Sequence, residues 1–138
     1  MAWVMPLNFG AEQFLLLCES APQEVFGLVF SASSGGTGAV LAYVMDTSLG
    51  WSADNTVQPG AEEFVHIACT WDGSMIRLYV NGEEVSSGAR TTPLDDIEHI
   101  TIGSAPWTTD GGFVDDLRIY DTALSQAQIA NLMTVPVE

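Results

Sequence analysis

Carboxylates dominate the chemistry available to this sequence: eighteen Asp and Glu stand against three Arg (Arg77, Arg90, Arg118) and no Lys. Retaining glycoside hydrolysis would use two of them, about 5 to 5.5 Å apart, projecting from one strand at two- or four-residue spacing. No Glu-x-Asp-x-Glu run is present. The nearest pairs, Asp96/Glu98 and Glu83/Glu84, fall at a strand start and in a hairpin turn, where solvated charge is the expected role. Other reactive arrangements are also missing, with no G-x-S-x-G elbow, phosphate-binding glycine loop or C-x-x-C. His66 and His99 are isolated, as strand histidines satisfied by hydrogen bonds usually are, so zinc is not expected. The reading is that of a protein without catalytic machinery.

The acids bear more on what the chain could bind. A formal charge of −15 and a pI near 4.1 exclude nucleic acid, which needs a basic stripe to displace counterions, and an anionic membrane surface would repel the chain equally. Divalent cations are the natural counterions, although the charge also serves solubility alone. Calcium takes six to eight oxygens from carboxylates and loop carbonyls, which makes the loop acids Asp46, Asp54 and Asp110 candidates. Asp110 precedes Gly111-Gly112, a segment suited to carbonyl ligation. No run of about 18 apolar residues could insert in a membrane, and the N-terminus lacks the basic start of a signal peptide.

Positioning these groups requires a framework, and short Val, Ile, Leu and aromatic runs ended by Gly, Asn, Asp or Pro predict an all-β, two-sheet antiparallel sandwich. At 138 residues and 47% hydrophobic composition, a single domain spanning residues 1–138 can bury its core without disulfides. Strands are expected at 2–7, 13–19, 25–32, 39–45, 63–71, 75–80, 83–86, 97–102 and 113–120. Asp72-Gly73 and Asn81-Gly82 accept positive φ and predict two tight hairpins, while Ser31 to Gly38 reads as a flexible hairpin loop. Ser125 and Gln128 form a capping box ahead of the Ile129, Leu132, Met133 stripe, predicting one short helix laid against the sandwich. Cys18 and Cys69 sit in apolar runs and are expected as buried thiols, pairing only if their strands are adjacent.

Three blocks carry a family resemblance. Phe64-Val65-His66-Ile67-Ala68-Cys69-Thr70-Trp71-Asp72-Gly73 runs into Ile76-Arg77-Leu78-Tyr79-Val80-Asn81-Gly82-Glu83; Ile100-Thr101-Ile102-Gly103 follows; and Gly112-Phe113-Val114-Asp115-Asp116-Leu117-Arg118-Ile119-Tyr120 leads to Ala123-Leu124-Ser125 and Gln128-Ile129. Together with Ala2-Trp3-Val4, these resemble the laminin-G-like jelly rolls of the concanavalin A-like lectin and glucanase superfamily. Phe64 replaces the usual Trp. The resemblance implies a fold shared by lectins, receptor modules, hydrolases and virion components, and so restricts function only loosely. It also implies a calcium role for Asp115, because the acidic residue of the closing strand in many of these jelly rolls helps hold a structural calcium. Arg118 resembles the family's recurrent arginine, with a cross-strand ion pair as its expected role.

Sugar binding by such folds uses aromatic rings stacked on pyranoside faces beside Asp or Asn acceptors. Trp51 with Asp54, and Trp107 with Asp110, lie in polar, turn-rich stretches and are the candidates; the alternative is that each Trp folds over a sheet end. Trp3 and Trp71 are expected to pack. The expected function is a recognition or adhesion module for a glycan or protein surface, outside the cell or on a virion. Relatives usually open with a further strand beside the closing one, and an exposed edge there would invite a homo-oligomer. The alternative function is therefore a self-assembling shell, fibre or decoration protein.

Overall fold

The computed structural model describes residues 1–6, 13–20, 23–32, 38–44, 47–51, 63–91, 97–102 and 112–135. Ten strands and one helix follow in chain order: β1 (Ala2–Pro6), β2 (Gln13–Ser20), β3 (Gln23–Ala32), β4 (Gly38–Val44), β5 (Thr47–Trp51), β6 (Val65–Trp71), β7 (Met75–Val80), β8 (Glu83–Ala89), β9 (His99–Ile102), β10 (Gly112–Asp115) and α1 (Gln126–Leu132). They form two five-stranded sheets, ordered β10-β1-β6-β7-β8 and β5-β4-β3-β2-β9, with every described pairing antiparallel.

Period-two alternation sets the register. Val65 and Ile67 on β6, Ile76, Leu78 and Val80 on β7, and Ala2 and Val4 on β1 form one buried row system; it meets Leu16, Cys18 and Leu28 from the second sheet in a single core. At one side of the sandwich β5 lies against β8 and β7. The strand orders therefore put β9 and β10 at the opposite side.

The first sheet is buried on its outer face as well. His66, Ala68 and Thr70 alternate with the core residues of β6 and are also buried, as is Tyr79 of β7. Ile129 of α1 packs on Ala68 and Tyr79, with Met1 and Leu124 beside them. The helix starts as expected: Ser125 is its N-cap, and the reciprocal Ser125–Gln128 capping box is complete. Gln126 Nε2 donates to Glu83 Oε2 at 2.9 Å, tying the helix start to β8.

Three expectations change. Residues 47–51 form β5 on the edge beside β4, a strand whose short alternation is obscured by Gly50 and the polar residues that follow Trp51. β8 continues to Ala89 rather than ending at Ser86. The closing strand stops at Asp115, because Asp116 adopts φ +50° with its N–H held by Asp115 Oδ1 at 2.8 Å; residues 117–120 leave the sheet. The two cysteines are free, Cys18 from the second sheet and Cys69 from the first, and burial pushes the Cys69 thiol up to about 12.

Both predicted tight turns are present. Asp72 Oδ1 accepts from the N–H groups of Ser74 and Met75 around Gly73, at φ +89°. Asn81 and Gly82 both take positive φ, the geometry that matches strand twist in a two-residue hairpin. A Cβ at Gly82 would lie 3.3 Å from Met133 Sδ and 3.4 Å from Ala130 Cβ, whereas one at Gly73 would meet open space. Gly73→Ala should therefore cost only the backbone term, on the order of 1 kcal/mol, and Gly82→Ala distinctly more because it also displaces the helix. Urea denaturation of both variants checks this ordering, and equal losses would contradict it.

Candidate functional site

Asp116 and Arg118 bring together the elements that cover the first sheet. Arg118 Nε donates to Asp116 Oδ1 at 2.7 Å and Nη2 to Oδ2 at 2.6 Å, a two-pronged pair between residues two apart, off the strand. Nη1 reaches the Leu132 carbonyl at 3.1 Å and Nη2 the Val135 carbonyl, supplying donors at the helix C-terminus where carbonyls lose their helical partners. The Arg118 backbone N–H donates to the Met1 carbonyl at 2.8 Å. One guanidinium thus fixes the end of α1 and the turn after β10, while its own backbone holds the start of β1. The expected ion pair is present, but as a local clamp rather than a cross-strand bridge.

Beneath this clamp lies His66, 1% exposed. Its backbone N–H donates to Asn81 Oδ1 at 3.0 Å and its carbonyl accepts from the Asn81 N–H at 2.8 Å, so the β7–β8 turn docks onto β6. The Trp3 ring stands edge-on at 5.2 Å, with Trp3 Nε1 donating to the Met133 carbonyl at 3.3 Å. Burial, assisted by the N-terminal ammonium and Arg118 and opposed by Asp116, lowers the His66 pKa to about 4. His66 is structural. Trp71 also packs, at the margin of the core, with Nε1 donating to the Arg90 carbonyl at 2.9 Å.

Other described carboxylates also have partners. Asp72 Oδ2 accepts from Arg77 Nη1 at 2.6 Å; this pairing and the Ser74 and Met75 hydrogen bonds hold its carboxyl well below the usual range. Glu84 lies 3.8 Å from Arg77 Nε. Asp115 is exposed, with one oxygen accepting from the Asp116 N–H. Among the described residues no three Asp, Glu, His or Cys side chains gather into a cation site. Asp46, Asp54, Trp107 and Asp110 lie outside the described residues.

Trp51 is the last residue of β5 rather than part of a loop. Backbone register pairs it with Val40 of β4.

The side bounded by β9 and β10 was not legible residue by residue. Ile102 and Ile100 stand opposite Leu16 and Cys18, both buried, so they belong to the interior-facing row; yet they are 53% and 48% exposed. Val114 stands opposite buried Val4 and is 40% exposed. In the outer row of β10, Phe113 is 55% exposed beside Asp115. Neither β9 nor β10 has a second strand neighbour among the described residues.

Over residues 1–130 the chain matches the laminin G family of the concanavalin A-like lectin/glucanases superfamily, and it belongs to that family. No curated protein matches it significantly in sequence. Among solved structures it is similar to the native heptameric SAP-like pentraxin from Limulus polyphemus, with TM-score 0.68, 16% identity, 95% of this chain and 66% of the pentraxin chain covered. The receptor-binding domain of botulinum neurotoxin type G gives TM-score 0.72 and 14% identity over 96% of this chain and 36% of its own. Domain 4 of AbnA, an extracellular GH43 arabinanase from Geobacillus stearothermophilus in complex with arabinotriose, gives TM-score 0.65 and 20% identity over 95% of this chain and 63% of its own. The chain thus spans two thirds or less of each neighbour, and identities this low establish a shared fold.

Removing the clamp should be costly. Arg118→Ala removes the guanidinium from Asp116 and from the Val135 carbonyl, while the Leu132 carbonyl keeps only the Val135 N–H at 3.2 Å. The variant is expected to lose about 3 kcal/mol in urea unfolding. Arg118→Lys should recover less than half, since an ammonium cannot fork across the same acceptors. His66 adds a pH signature. Folded His66 stays neutral down to about 4, whereas the unfolded imidazole protonates near 6.5, so its stabilising contribution is present above 6.5 and declines as pH falls toward 4. The full linkage is on the order of 3 kcal/mol. Stability measured at pH 7 and pH 5 should fall more in wild type than in His66→Gln, and parallel losses would contradict this.

Proposed function

We propose that this domain is a non-catalytic binding module whose ligand is a carbohydrate. Its membership of a lectin and glucanase superfamily carries the reading. The engagement of Asp72, Glu83 and Asp116 by neighbouring groups accords with binding without hydrolysis. The arabinotriose complex of a similar fold makes arabinan oligosaccharides a rational first ligand series. Trp51 and Trp107, with Asp54 and Asp110, are the proposed contact set. A cell-exterior or virion setting fits this reading. Among the described residues, no helix is long and apolar enough to cross a membrane.

A second reading, self-assembly through β9 and β10, is supported by the exposed residues Ile100, Ile102 and Val114. Glycan-array screening followed by titration calorimetry with arabinan and β-glucan oligosaccharides tests the main reading. Saturable binding, weakened at least about tenfold by Trp107→Ala with an unchanged melting temperature, is expected. No sugar should be cleaved in the same mixtures. Absence of binding across the array, or measurable turnover, would overturn the proposal.

A further inference from the structure

The outer face of the first sheet carries an apolar cluster of its own, apart from the core between the sheets. Ala68, Tyr79 and Ile129 are its buried members, and Ile129 is the single buried residue of α1. Hydrogen bonds supply further ties for this cover: Gln126 to Glu83, Trp3 to the Met133 carbonyl, and Arg118 to the Leu132 and Val135 carbonyls. His66 sits on the same face, 1% exposed, with Nδ1 buried and without a hydrogen-bond partner among the described residues. A protonated imidazole donates from both nitrogens, and the closed cover offers Nδ1 no acceptor. The charges acting on the ring are also ill suited to a further proton. The Met1 ammonium, which donates to the Arg118 carbonyl at 2.8 Å, and the Arg118 guanidinium repel it, and both carboxylate oxygens of Asp116 are already engaged by that guanidinium. Trp3 from β1, Asn81 from the β7–β8 turn and the residues of α1 bring no charge, and the Cys69 thiol on the same strand is held neutral by burial.

We infer that His66 is a proton-operated latch on this cover: its protonation releases α1 and the residues after it from β6 and β7 while the two sheets stay folded. Opening uncovers the outer cluster alone, because the core residues of β6 and β7 face the other sheet. Burial lowers the pKa of the closed ring to about 4, and the released ring returns to 6.5, so opening takes up a proton between these values and is favoured as pH falls. The opening equilibrium should rise about 20-fold between pH 7 and pH 5 through His66 alone. The Met1 ammonium, lowered to about 6 by burial, acts in the same direction, so the histidine share is read as a difference between two proteins that both keep Met1. None of the residues assigned to sugar takes part, so this inference and the carbohydrate proposal stand or fall separately.

Amide hydrogen exchange of the whole chain at pH 7 and pH 5, with each amide corrected for its intrinsic rate, tests the latch. Ile129, Met133, Thr134 and Val135 donate backbone hydrogen bonds within the cover. Their protection should be at least about tenfold below that of the β7 amides at either pH, since they open without the sheets. From pH 7 to pH 5 it should fall about 20-fold further in wild type than in His66→Gln. Wild type gives a second reading that does not depend on the variant: the imidazole nitrogen shifts of His66, followed by NMR, should titrate well below 6.5, with the α1 signals changing over the same pH range. Equal protection of α1 and β7, equal pH dependence in the two proteins, or a His66 ring that protonates with no change in α1 would each overturn the inference.

Discussion

β6 is buried on both faces, and the rest of the molecule answers that constraint. Val65 and Ile67 require the second sheet; His66, Ala68 and Thr70 require a covering on the opposite face. A sandwich of two sheets meets only the first demand. The second falls to the stretch after β10, which leaves the sheet at Asp116, crosses under the Arg118 clamp and lays Ile129 over Ala68 and Tyr79. The chain's few cations matter here, since Arg118 holds the covering through a carboxylate and main-chain carbonyls together.

Much of this was readable from residue types. The Asp72-Gly73 and Asn81-Gly82 turns follow from backbone preferences at fixed positions, and the Ser125–Gln128 box marks the helix start through a local hydrogen-bond pattern. β6 and β7 were legible because strong hydrophobic runs surround those turns. β5 was not, since Gly50 reads as a turn residue and the pairing that makes 47–51 a strand comes from β4. The stop at Asp115 was hidden for the opposite reason: the apolar run continues through Leu117 and Ile119, and a single positive φ at Asp116 overrides it. The candidate site was less legible than the fold. Residue type can nominate Trp107 or Asp110, but assembling a ligand pocket depends on loop placement, and residue type alone says little about that. For Trp51, backbone pairing replaces a loop assignment with the end of a strand.

The division of labour explains how one framework suits recognition. Residues that fix the framework use up most of the described charged groups: Asp72 closes a turn and engages Arg77, and Asp116 anchors Arg118. Exposed apolar residues remain on β9 and β10, away from these pairings.

The two thiols have a consequence for how the sheets are joined. Cys18 and Cys69 reach the core from opposite sheets, and both are free. Burial holds the Cys69 thiol at about 12, so little of the reactive thiolate forms near neutral pH. Apolar contact, rather than a covalent link between these two residues, holds the layers together.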